Sequence, residues 1–165
     1  MPLFFLFILF LLLENLFLPA LIGPRVILIM PIFLISMLAY NPDSKARLVQ
    51  LAIFILLAGF FSNYAMLGLA ISFILVLFIY LGANYFTNIG LNLKESASFS
   101  GILISISIIT LLTYIYAWFS IVISSSYDFM ASWTEWKILI EASTYSTLAW
   151  SVAFTLLFKY VLKNK

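Results

Sequence analysis

The stretch LFILFLLLENLFLPALIGPR, residues Leu6 to Arg25, decides what kind of fold the chain can adopt. It is an apolar run that is interrupted by one carboxylate and one amide, Glu14 and Asn15. If the run crosses a bilayer, a carboxylate near its centre costs on the order of 3 kcal/mol on insertion scales. Glu14 is therefore predicted to face the interior of a helical bundle or to take up a proton. Two roles are considered for Glu14. The first is a contact with a ligand, an ion or a partner, and the second is a hydrogen bond that fixes a neighbouring helix.

The amino-acid composition indicates that most of this chain is surrounded by lipid. Of its 165 residues, 65% are hydrophobic and only 8% are charged, and the mean hydropathy is +1.20. Soluble domains carry about 25% charged residues, so this chain has too few charges to cover a surface that faces water. The apolar residues also occur in long runs. The sequence therefore predicts an all-α integral membrane protein.

The residue types that carry most catalytic and metal-binding chemistry are missing. The chain has no cysteine and no histidine, which removes thiolate ligands, disulfides, the commonest metal ligand and the usual near-neutral general base. The sequence contains no glycine-rich phosphate loop and no nucleophile elbow, and its net charge of +2 is small and dispersed. We therefore expect no enzymatic activity, no catalytic residue, no metal, no cofactor and no nucleic-acid partner.

Polar and turn-forming residues divide the chain into six apolar blocks, which predict a compact bundle of six transmembrane helices in a single transmembrane domain, 1–165. The blocks cover residues 3–22, 26–40, 48–61, 66–86, 99–124 and 138–162. A helix needs roughly 20 residues to cross the hydrocarbon core, so the second and third blocks are short. Residues 48–86 as one helix would be about 58 Å long, roughly twice the core thickness. A turn is therefore predicted at Ser62–Tyr64.

The basic residues indicate which side of the membrane each loop occupies. With six spans, two of the eight basic residues, Arg25 and Lys137, lie on one side, and the other six lie on the side that holds both termini. Cytoplasmic loops carry an excess of Lys and Arg, so both termini are predicted in the cytoplasm. The first block is interpreted as a retained span and not as a signal peptide, because no basic residue precedes it.

Aromatic residues are concentrated in the predicted outer loop, 124–137. Four of them occur there: Tyr127, Phe129, Trp133 and Trp136. This density is typical of a membrane interface, where the segment forms an interfacial belt or a short helix that lies in the headgroups. The sixth helix is predicted to begin after the loop, near Ile138.

Two groups of residues are candidates for a site or for helix packing. Glu14, Asn15 and Asn63 are predicted at a similar depth near the outer face, where they would form a polar cluster or a partner contact. Four small or turn-forming residues are candidates for close helix packing: Pro19, Gly59, Gly68 and Ser72.

Hydroxyl residues recur at helical spacing in the fifth and sixth predicted spans. The fifth contains Ser100, Ser107, Thr110 and Tyr114, and the sixth contains Ser143, Thr147, Ser151 and Thr155. Such residues either wet a path through the membrane or bond to nearby carbonyls and hold helices together. Packing is the favoured interpretation.

The order of these features resembles the rod shape-determining protein MreD family of bacterial inner-membrane proteins. Three segments carry the resemblance: ENLFLPALIG from Glu14, GFFSNYAMLGLAISFILVLFIYL from Gly59, and the C-terminal STYSTLAWSVAFTLLFKYVLKNK. The sequence departs from the family at Asn63, where the family usually has Asp, and at Arg25, where it tends to have Asp or Asn.

The resemblance implies a fold similar to the substrate-binding subunits of energy-coupling-factor vitamin transporters. It also implies a non-catalytic role in bacterial cell elongation at the cytoplasmic membrane. The partner would be a bitopic MreC-like protein and, indirectly, MreB and the peptidoglycan synthases. A vitamin-binding subunit of an energy-coupling-factor transporter is the alternative, although the short outer connections make a small-molecule pocket less favoured. A helper subunit of an unrelated transporter or channel is a third hypothesis, and it predicts water along the hydroxyl residues.

Overall fold

The computed structural model describes residues 2–18, 20, 28–40, 45–61, 74, 99–124 and 129–161. These residues form five helices and two π turns: α1 (Pro2–Leu12) with a π turn (Leu13–Phe17), α2 (Ile29–Tyr40), α3 (Lys45–Phe61), α4 (Phe99–Ser124), and α5 (Phe129–Leu156) with a π turn (Leu157–Val161). The described part of the chain contains no strand, so its all-α class is confirmed.

The helix ends predicted from the apolar blocks agree with the structure more closely than the helix starts. α4 has the predicted bounds, and α2 and α3 end at Tyr40 and Phe61 as predicted. α2 begins at Ile29, three residues late, and α3 begins at Lys45, three residues early. The predicted fourth span, 66–86, lies outside the described residues apart from Ile74, so the count of six spans stays a prediction.

α5 begins at Phe129, nine residues before the predicted start. The aromatic segment is helical there because it packs against α4. The indole Nε1 of Trp136 donates a hydrogen bond of 3.0 Å to the carbonyl of Tyr114, and the rings of Trp133 and Trp136 lie 5.1 Å apart. The aromatic segment, interpreted from the sequence as an interfacial belt or a short helix, thus forms the beginning of α5.

α2 is the centre of the packing. Every residue from Leu28 to Ala39 is buried, and α2 packs against α1, α3, α4 and α5. Its sequence is apolar on all sides except at Ser36, as expected for a helix in such a position. α2 is about 18 Å long, much shorter than the roughly 30 Å of a hydrocarbon core. In a bilayer, at least one of its ends would therefore lie at membrane depth.

Phe33 joins α2 to the helices on either side of it. The centre of its ring lies within 6 Å of three other rings: Phe10 at 5.4 Å, Phe154 at 5.5 Å and Phe158 at 5.7 Å. All four side chains are buried. This cluster connects α1, α2 and the end of α5 in one apolar core.

α5 is hydrogen-bonded to one turn of α4 at two places. Thr110 Oγ1 donates a hydrogen bond of 3.1 Å to Ser151 Oγ, and Trp136 reaches the carbonyl of Tyr114. Between these two places, three side chains of α5 bond to carbonyls of their own helix: Ser143 to Leu139, Thr144 to Ile140 and Ser146 to Ser143.

α4 has the length and composition of a membrane span. The stretch Ser100–Ile123 covers 24 residues, and 33% of its most apolar window is buried, whereas a core helix of a soluble protein would be mostly buried. Among the described residues it is the one helix that passes this test. Three apolar helices are shorter: Leu3–Phe17, Ile29–Ala39 and Leu48–Ala58.

Replacing Phe33 with alanine should lower the free energy of unfolding by about 3–5 kcal/mol, because it empties the centre of the aromatic cluster. Phe5→Ala is the matched control, since Phe5 is 70% exposed, and it should cost less than about 1 kcal/mol. The measurement is reversible unfolding in mixed micelles of a mild detergent and dodecyl sulfate. Equal losses for the two variants would contradict the central position of Phe33.

Candidate functional site

Glu14 and Asn15 lie in the π turn that follows α1. In this turn the backbone N–H of Leu18 donates to the carbonyl of Leu13, five residues earlier. π turns are rare and frequently occur at functional positions of helices. The exposed side chain of Asn15 donates from Nδ2 to the carbonyl of Leu11 at 3.0 Å, so one N–H of its amide is satisfied within its own helix.

Glu14 bonds to a different helix. Its Oε2 accepts a hydrogen bond of 2.5 Å from the backbone N–H of Met30, which lies 16 residues later in the chain. Glu14 is partly buried and Met30 is 5% exposed, so the contact lies inside the bundle. This geometry corresponds to the second role considered above, a hydrogen bond that fixes a neighbouring helix.

The first turn of α2 needs an acceptor of this kind. The first N–H groups of a helix find no carbonyl within that helix. Pro31 carries no N–H, and the N–H of Ile32 already reaches the carbonyl of Leu28 at 3.3 Å. The N–H of Met30 precedes both, and Glu14 supplies its acceptor. Glu14 therefore acts as an N-terminal cap that is contributed by another helix.

The position of the carboxyl group is also electrostatically favourable. The N-terminus of a helix carries a partial positive charge, which stabilises an acidic group placed beside it. In a bilayer no water is present to bond to an exposed backbone N–H, and each unsatisfied group costs several kcal/mol. A carboxyl group is thus an effective cap for a helix that starts inside an apolar bundle.

The remaining candidate residues are distributed as follows. Asn15 is exposed beside Glu14 but bonds to α1 and not to α2. Gly59 lies in α3. Four candidates lie outside the described residues: Pro19, Asn63, Gly68 and Ser72. The cluster of Glu14, Asn15 and Asn63 therefore stays a prediction.

Five of the predicted hydroxyl residues of α4 and α5 bond as the packing interpretation predicts, whereas the buried hydroxyl groups of Tyr114 and Thr147 have no hydrogen-bond partner among the described residues. Ser143 and Thr155 donate to carbonyls one turn back, at 2.7 Å each, and Ser107 does the same on α4 at 3.0 Å. Thr110 bonds to Ser151 across the two helices. Packing is confirmed for these four hydrogen bonds.

The sequence did not identify Met30 as the partner of Glu14. A backbone N–H has no side-chain signature, so neither spacing nor composition points to it. The sequence feature that could have indicated such a partner is Pro31, which lies near the start of an apolar segment. Proline in the first turn of a buried helix marks a terminus whose other N–H groups need an acceptor from elsewhere.

No protein-family model, no curated protein and no solved structure matches the chain. Within the described residues, no three His, Cys, Asp or Glu side chains lie close enough together to hold a metal ion.

Replacing Glu14 with leucine should lower the free energy of unfolding by about 1–3 kcal/mol, because the N–H of Met30 is left buried without an acceptor. Glu14→Gln keeps an acceptor oxygen and should lose less. Asn15→Leu is the matched control, since it removes a neighbouring polar group that bonds only within α1. Unfolding in mixed micelles measures all three, and equal stability of the Glu14→Leu and Asn15→Leu variants would contradict the cap.

Proposed function

We propose that this chain is a multi-pass protein of the bacterial cytoplasmic membrane that acts without catalysis, as a component of the rod-shape, or cell-elongation, machinery. The observation that supports a location in the membrane is which polar and apolar side chains of α5 are buried and which are exposed. Four hydroxyl side chains of this segment face the inside of the bundle, and four large apolar side chains on another face point outward.

Eight residues of α5 and its π turn define this distribution. Four hydroxyl residues, called the hydroxyl ridge, are 0–1% exposed: Ser143, Thr147, Ser151 and Thr155. Four large side chains on another face are 39–63% exposed: Leu148, Val152, Leu156 and Tyr160. In water, exposed apolar area is unfavourable by roughly 25 cal/mol per Å². In lipid the same arrangement is stable, because three of the four hydroxyl groups bond inside the bundle and the apolar side chains contact acyl chains.

The cap formed by Glu14 supports a non-catalytic role. A carboxylate within a predicted span is a candidate for proton or ion chemistry. Here its Oε2 accepts a hydrogen bond from the start of α2, so its contact is with the bundle itself. The role that this geometry favours is to hold the helices in a fixed arrangement.

The outer face of α1 is suited to binding another transmembrane helix. Four large apolar side chains on α1 and its π turn are 37–70% exposed: Phe5, Leu9, Leu12 and Leu16. Their spacing of four, three and four residues is that of helices that pack side by side. A single-span partner such as an MreC-like protein offers a helix of this kind. The choice of that partner rests on the motif resemblance.

The proposed topology predicts that reporters fused to Met1 and to Lys165 are both on the cytoplasmic side. Two reporters measure this in whole cells: one is active only in the cytoplasm, and the other is active only in the periplasm. An even number of spans requires the two ends to give the same result. Opposite locations for the two ends would contradict six spans.

Co-expression with the MreC-like protein of the same organism tests the proposed partner. We expect a complex that survives purification in mild detergent, and we expect Leu9→Gln with Leu12→Gln to reduce its yield at least five-fold. Leu148→Gln with Val152→Gln is the matched control, because these residues are equally exposed on α5, and it should leave the yield unchanged. Absence of the complex, together with co-purification of a vitamin and an energy-coupling module, would overturn the proposal in favour of the transporter subunit.

A further inference from the structure

Asn15 keeps hydrogen-bonding capacity that the described part of the bundle does not use. Its Nδ2 donates one hydrogen bond, to the carbonyl of Leu11 at 3.0 Å. A side-chain amide has two N–H donors and a carbonyl oxygen that accepts. The second N–H and Oδ1 bond to no group among the described residues, and the side chain is exposed. Asn15 therefore still offers one donor and one acceptor to a group outside α1.

The predicted first span places this amide within the hydrocarbon core. Asn15 lies seven residues before the end of the span, 3–22, which is about 10 Å along a helix. Its neighbour Glu14 bonds to Met30, which is buried in the bundle. Acyl chains neither donate nor accept hydrogen bonds, so an amide that faces lipid at this depth is unfavourable. The same amide is favourable if another helix supplies its partner.

Asn15 borders the outer face of α1, which is otherwise apolar. It follows Leu12 by three residues and directly precedes Leu16, and residues three apart are neighbours on the surface of a helix. Glu14 and Asn15 are the two polar residues of α1 and its π turn, and Glu14 bonds to α2. A helix packed on the outer face of α1 thus meets one polar side chain among large apolar ones. A single asparagine in such an apolar surface fixes how two helices align.

We propose that the outer face of α1 binds a transmembrane helix that carries a hydroxyl or amide side chain opposite Asn15. This inference rests on the proposed function, in which the occupant is the single span of an MreC-like protein. A hydroxyl or amide group both donates and accepts, so it complements the donor and the acceptor that Asn15 has left. A charged side chain would use one of the two and would add the cost of a charge in lipid. The bond sets the register of the partner helix, and the apolar side chains supply the contact area.

Replacing Asn15 with leucine tests this bond in the complex with the MreC-like protein of the same organism. We expect the yield of co-purified partner in mild detergent to fall at least three-fold, and to fall less with Asn15→Gln, which keeps an amide. Ser107→Leu is the matched control: Ser107 is also exposed and polar, and it bonds within its own helix, to the carbonyl of Leu103 at 3.0 Å. This control should leave the yield unchanged.

Two results separate this inference from the proposed function. An unchanged yield with Asn15→Leu, while the native chain still forms the complex, would overturn the inference and leave the proposed function standing. Absence of the complex with the native chain would overturn the proposed function, and the inference with it. A loss of stability for Asn15→Leu as large as that for Glu14→Leu would place the partner of the amide within this chain, which also contradicts the inference.

Substitutions in the partner identify the other half of the bond. Each hydroxyl or amide residue in its single span is replaced by leucine, alone and together with Asn15→Leu. One of these changes should lower the yield as Asn15→Leu does, and the pair should lower it no further, because bonded residues are energetically coupled. Fully additive losses for every pair would contradict a direct bond. Pairing of two differently tagged copies of this chain that depends on Asn15, in the absence of the MreC-like protein, would overturn the proposal in favour of a second copy.

Discussion

The hydrogen bond from the N–H of Met30 to Glu14 makes it possible for α2 to begin inside the bundle. A helix that starts in an apolar environment leaves backbone N–H groups without partners. α2 is buried from its start to Ala39, so its first turn has no access to solvent from which a partner could come. A carboxyl group on α1 meets this requirement, and it does so from a π turn. The carboxyl group that interrupts the first apolar run, that of Glu14, is thus explained by the needs of the next helix.

The core and the outer surface follow from the position of α2. Phe33 contacts aromatic rings from α1 and from the end of α5, so these helices pack where α2 places them. Ser143, Ser151 and Thr155 of α5 bond inside this arrangement, and large apolar side chains on another face of the helix remain outside. A bundle of this kind offers apolar flanks to lipid or to other helices. That property agrees with a scaffold that binds membrane partners.

Sequence reasoning was most successful where a single physical signal dominates. The bounds of α4 follow from apolar length alone, and the ends of α2 and α3 follow from polar residues that stop the apolar runs. It was less successful where tertiary contacts decide. The aromatic residues of 124–137 indicated an interfacial belt or a short helix, whereas in the structure Trp136 lies within the long helix α5 and bonds to α4.

The role of Glu14 shows the same limit at the level of the site. Its burial and its cost in lipid followed from the sequence, and a bond to a neighbouring helix was one of two roles considered. The partner could not be predicted, because the acceptor requirement belongs to the backbone of Met30 and not to a side chain. Whether Asn63 joins Glu14 depends on residues outside the described ranges. Sequence patterns therefore located the polar group, and the fold determined what it binds.

Amide hydrogen exchange at Met30 in lipid nanodiscs tests the central claim most directly. The N–H of Ile32, which bonds to Leu28 within the same segment, provides an internal reference. The account predicts slow exchange at Met30 in the native chain and at least ten-fold faster exchange when Glu14 is replaced by leucine, with Ile32 changed much less. Exchange at Met30 that does not respond to the loss of the carboxyl group would contradict it.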